Sequence, residues 1–153
     1  MKTLAHGSDR DELLERLRRI HAETPRRWGK MSAHQMICHA ADAYRMAAGR
    51  RAVEPVRGPM RNGLAKWVAL YAPLPWPRGI QTCPEVDPAR AGTKPVDFTR
   101  DVAEVEAFLA LIASAPTSEL GQRSHPIFGR MTGEDWQRWG YLHMDHHLRQ
   151  FGL

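Results

Sequence analysis

Cysteine is scarce. Two residues among 153 exclude a disulfide scaffold and fit a reducing compartment. No apolar run approaches the roughly 18 residues of a membrane span. The opening stretch MKTLAHGSDRDELL lacks the apolar core of a signal peptide, so the chain is expected in the cytoplasm, away from membranes. Alternating apolar and polar residues are also missing, and no strand is expected. There is no internal repeat and no low-complexity tail. Acidic residues are outnumbered, 17 Asp and Glu against 22 Lys and Arg, for a formal net charge of +5. The excess is scattered, from Arg18 and Arg19 to Arg57 and Arg61, and follows no nucleic-acid-binding motif, so nucleic acid is not an expected partner.

Ordinary globular proportions remain, 42% hydrophobic and 25% charged. The length predicts a single domain over 1–153, able to bury roughly 70% of its extended surface. Helical spacing dominates. Leu13, Leu14, Leu17 and Ile20 share one face of a helix over 9–22, with Ser8 as its cap and Thr24-Pro25 as its stop. Ser32 and Gln35 form a capping box for a helix over 32–48, whose many alanines admit a close neighbour. Residues 60–72 predict a shorter helix with Leu64, Trp67, Val68 and Tyr71 on one side. Residues 100–114 predict another, capped by Thr99, and 132–150 the last, with Thr132 and Asp135 as a loose capping box. Between them, 73–97 holds six prolines and cannot be a regular helix or a central strand. A loop this long serves either as a lid or pocket wall, or as plain packing over the core. These elements predict an all-α helical bundle.

Histidine is the surplus, with eight residues, three of them between 143 and 147. On a helix His143 and His147 point about 40° apart, the spacing by which one face offers two imidazoles to one metal. His146 is turned about 60° from His143 and is expected to serve otherwise. Trp136, Trp139, Gly140 and Gln150 share the His143 face, which is therefore expected inside. His39 lies at the edge of the apolar stripe of the second helix, a candidate third ligand. Buried imidazoles need partners, and a metal is one way to supply them. His125 either walls the site or fixes its loop; Cys38 and Cys83 are expected as structural thiols. His21 is a reserve ligand, and His34 caps its helix or faces solvent. Asp42 is a weak candidate partner for His39, since it points to the outer side of the helix.

Two stretches carry a family resemblance. One is Trp28-Gly-Lys-Met-Ser-Ala-His-Gln-Met-Ile-Cys-His39. The other begins His125-Pro-Ile-Phe-Gly-Arg-Met-Thr-Gly-Glu-Asp-Trp-Gln and closes with His143-Met-Asp-His-His147-Leu-Arg-Gln150-Phe-Gly. In order of elements nearly the whole chain resembles the DinB-like superfamily of metal-dependent enzymes, closest to a subfamily of unknown function. The resemblance implies an up-down-down-up four-helix bundle, often a homodimer. It implies a divalent metal, commonly zinc or nickel, on three histidines that map to His39, His143 and His147. Familiar relatives transfer low-molecular-weight thiols to small electrophiles, or isomerise or hydrolyse thiol conjugates. The Arg-Gly-Gln that follows the last ligand in many relatives is Leu148-Arg149-Gln150 here, a departure that bears on Gln150 more than on His147.

The expected function is thus a metal-dependent transferase or hydrolase acting on a small-molecule substrate or thiol, with His125, Trp136, Trp139 and Gln150 as candidate pocket residues. The alternative is a non-catalytic bundle that binds a metal or small ligand. In either case metal binding is expected to weaken as pH falls through about 6.5, the ordinary imidazole pKa.

Overall fold

The computed structural model describes residues 1–153. The chain is mostly helical: α1 Gly7–Leu17, α2 Ala33–Ala47, α3 Gly63–Tyr71, α4 Phe98–Ser114, α5 Thr117–Leu120 and α6 Gly133–Gln150. The expected absence of strands is corrected by one small hairpin, β1 Ser124–His125 with β2 Gly129–Arg130. Its tip contains Pro126 and closes at Gly129, whose φ of 70° suits a residue without a side chain. Such a two-residue ladder leaves no alternation to read. No helix is long and apolar enough to cross a membrane.

Both capping boxes form. Ser32 Oγ accepts from Gln35 N–H while Gln35 Oε1 accepts from Ser32 N–H. Thr132 and Asp135 repeat the exchange at α6. Two expected caps move. Asp97, not Thr99, accepts from Arg100 N–H at the start of α4. Ser8 lies inside α1, whose neighbour Asp9 ties back to Thr3 N–H instead. α1 also ends five residues early, at Leu17, because the chain turns there to bring Ile20 into the core.

The core lies between α2 and α4 and under α6, which touches α1, α2, α3 and α4. Leu13 and Leu17 of α1 meet Met36, Ile37 and Tyr44 of α2, Leu109 and Ile112 of α4, and Trp136, Met144 and Leu148 of α6. Gly140 matters to this packing: a Cβ there would sit 2.6 Å from Cδ1 of the fully buried Leu4, so that side chain would have to shift to admit it. The Tyr44 hydroxyl donates to the Gly140 carbonyl at 2.7 Å and joins α2 to α6.

Of the expected apolar side of α3, only Tyr71 packs against the core. Leu64 and Trp67 are 71% and 56% exposed, and only Leu70 is fully buried. The proline-rich segment divides in two. Its first part runs over α6 and forms a wall described below. Its second part is pinned to α2 by Asp42, which is fully buried and accepts from Thr93 N–H at 2.7 Å and Thr93 Oγ1 at 2.8 Å. Arg45 and Arg51 both reach the same carboxylate at 2.6 Å.

Candidate metal centre

α2 and α6 lie against each other, and their facing turns bring His39 to His143 and His147. Ring centroids stand 5.2 Å apart for His39–His143, 4.8 Å for His39–His147 and 4.7 Å for His143–His147. One ligand atom from each ring lies within 4.8 Å of the others, so the three form a group able to hold a metal ion. His39 and His143 are buried and His147 is half-buried.

Their hydrogen bonds fix which nitrogen is free. His39 Nδ1 lies 2.7 Å from the Val86 carbonyl, which can only accept, so this nitrogen carries the proton and Nε2 keeps a lone pair. Gln150 Nε2 donates to the Trp28 carbonyl at 3.0 Å, which turns Gln150 Oε1 toward His147 Nδ1 at 3.2 Å. His147 Nδ1 therefore donates, and its Nε2 is free in turn. His143 differs: its Nδ1 is buried with no hydrogen-bond partner. The Trp139 ring stacks on it at 4.8 Å and 25°. An orphaned buried nitrogen beside two oriented imidazoles fits a site built for a cation.

Electrostatics keep these rings neutral. Burial lowers the pKa of His39. It lowers those of His143 and His147 well below the ordinary value, and the neighbouring imidazoles lower them further. The lone pairs are thus available without deprotonation near neutral pH.

The trio stands at one end of a cavity of about 690 Å³. α2 and α6 form its floor; α3, the hairpin and the first part of the proline-rich segment form its walls. The loop thus both walls a pocket, through Trp76, Ile80 and Cys83, and packs on the core, through Thr93 and Asp42. His125 also has both expected roles. It lines the cavity, and its Nδ1 accepts from Ile127 and Phe128 N–H at 3.1 and 3.2 Å, holding the hairpin tip. Burial pushes its pKa down to about 3. A neutral ring that accepts at Nδ1 must carry its proton on Nε2.

The other candidates separate. Trp139 lines the cavity, whereas Trp136 and Gln150 do not. Trp136 is fully buried behind His125, and Gln150 stands behind His147 as its orienting partner. His146 is off the trio, as its angle predicts, and packs against Trp28 and Trp76 at 4.9 and 5.9 Å. His21 is exposed and takes no part. Asp42 serves Thr93, Arg45 and Arg51, not His39. A second group, His34, Cys38 and Asp101, is internally satisfied: His34 Nε2 meets Asp101 at 2.7 Å, and Cys38 Sγ donates to the same oxygen at 3.5 Å. Burial and Asp101 push the Cys38 thiol up to about 12, as suits a structural thiol.

Three parts of the site have no sequence signal of their own: the Val86 and Trp28 carbonyls, and Trp76 as a wall. A backbone carbonyl looks the same at every position, and Trp76 sits among prolines without a period to place it.

The comparisons with known proteins add little beyond this geometry. No curated protein and no solved structure matches the chain. Residues 78–152 match a family described as a protein of unknown function (DUF1569), a stretch that includes Val86, His125, His143, His147 and Gln150 but not His39.

Proposed function

We propose that His39, His143 and His147 hold a divalent metal, zinc or nickel, in an enzyme that transfers a low-molecular-weight thiol to a small molecule or hydrolyses it. One observation carries the reading: three neutral imidazoles from two helices converge within 4.8 Å at the end of a cavity of about 690 Å³. Three neutral donors leave a bound divalent ion its full charge and open positions, enough to acidify water or a thiol and to steady a developing anion. The chain's own residues do the rest. Val86 and Gln150 hold two ligands by their Nδ1 protons. The Trp139 ring fixes the plane of the third. Trp76 and Phe128 keep water from the cavity wall, and His125 offers it a fixed Nε2–H donor.

In this reading α1, α2, α4 and α6 are the up-down-down-up bundle of the DinB-like proteins that the sequence resembles. The resemblance also carries a homodimer, which light scattering at micromolar concentration tests; a single-chain mass removes it.

Elemental analysis of untagged protein, purified without added metal, should find about one ion per chain. In a competition titration with a coloured chelator, alanine at His39, His143 or His147 should weaken binding by at least about tenfold, and His146→Ala should not. If none of the four variants changes affinity, the metal reading falls. Proton competition should begin below the ordinary imidazole pKa of about 6.5, because all three rings are lowered. Turnover of a thiol acceptor or an ester that disappears with chelation supports the enzyme. Metal binding with no turnover of either makes the protein a carrier or sensor.

A further inference from the structure

We propose that the cavity takes an uncharged, largely apolar molecule with a single polar group at its histidine end. The proposal deepens the reading of the same site and rests on it only for the polar end. The lining carries the argument. A quarter of the chain is charged, yet no Asp, Glu, Lys or Arg lines the cavity. Of the arginines near it, Arg45 and Arg51 are engaged on Asp42 and Arg61 on the Pro126 carbonyl, while Arg78, exposed in the segment, lies over the Trp28 ring. Beyond the histidines and the tryptophan indoles, the polar side chains of the lining are Asn62, Gln81, Thr82 and Cys83, and the Asn62 oxygen already caps α3.

A carboxylate, phosphate or ammonium entering the apolar body of this space would shed its water without meeting a charged side chain, since none lines it. An apolar molecule meets the opposite situation. Leu64, Leu74 and Ile80 line the cavity and are still 71%, 66% and 51% exposed, so its entrance is itself apolar. Inside stand Trp76, Ile127 and Phe128. The volume of about 690 Å³ is within the range that encloses an ordinary small-molecule ligand. The polar end is set by the histidines, where a hydroxyl, thiol or carbonyl finds the His125 donor and the three ligand nitrogens. Molecules that carry charge along their body are disfavoured on this account; alcohols, thiols and esters with a hydrocarbon body are favoured.

The test uses the whole chain stripped of metal by chelation, with Nile red as the reporter and 1-decanol, decanoate and decylammonium as competitors at pH 7. Decanol should compete at least about tenfold more tightly than either ion. Two variants fill the space, Ala43→Phe from the α2 floor and Thr82→Trp from the loop wall. Each should weaken decanol by about fivefold or more, and Thr82 is only half-buried, so its variant should keep the native circular dichroism. An ion that competes as well as decanol overturns the proposal. So does an unchanged decanol affinity in a folded filling variant. Because the metal is absent, failure here leaves the metal titration standing, and failure of that titration leaves this preference standing.

Discussion

Gln150 is the residue whose loss should be most informative. Its amide spans two partners, donating to Trp28 and accepting from His147. Gln150→Leu leaves the His147 proton unpaired and frees the ring to turn. Metal affinity should fall about 10- to 100-fold, read by chelator competition, while all three ligands remain. Gly29 guards the same contact. Its φ of 87° disfavours a side chain, and a Cβ there would collide with the Gln150 amide. His125 governs pH dependence differently. Its folded pKa of about 3 lies below the ordinary value of about 6.5, so the unfolded chain binds the proton first. The stability this gives is complete above about 6.5 and is lost as pH falls toward 3, at about 1.4 kcal/mol per pH unit for one proton. His125→Asn, which keeps an acceptor for the hairpin amides, should remove about one proton from that slope in urea titrations at pH 4 to 6.5.

At the scale of elements, the link between α2 and the proline-rich segment rests on one carboxylate. Asp42→Ala would leave Arg45 and Arg51 without their shared partner and Thr93 without its acceptor. The expected cost is about 3–5 kcal/mol in denaturant unfolding, with loss of the cavity wall that the segment forms. How much of this was legible follows from physics. The two capping boxes and the His143–His147 spacing are local, and helical periodicity expresses them directly. Asp42 is rightly a poor partner for His39, but its buried role is not legible, because a helical wheel gives an angle and not the neighbour at that angle. The outer side of α2 is covered by a loop 51 residues away along the chain, and no period announces it. α3 shows the converse. Its spacing is as regular as that of any core helix, yet Leu64 and Val68 stand exposed along a cavity and Trp67 faces solvent. Periodicity marks an apolar face without saying whether a core or a void lies against it.

For the whole molecule, the ligand set is divided along the chain: His39 comes from the first half, and His143 and His147 from the last helix. Arg78 lies between them on an exposed stretch of the segment, with no regular helix or strand around it. Brief trypsin treatment should therefore cut after Arg78 before it cuts the helices. The core draws residues from both sides of that cut, so the fragments 1–78 and 79–153 should co-elute on gel filtration. A bound ion would clasp them, with one ligand on the first piece and two on the second. Metal should lower the concentration at which the pieces separate, and a chelator should raise it. If the nicked pieces separate at the same concentration in both conditions, the ion does not bridge them. The protein is in this sense a two-part assembly that happens to be covalently joined, with the proposed metal site as the joint between the parts.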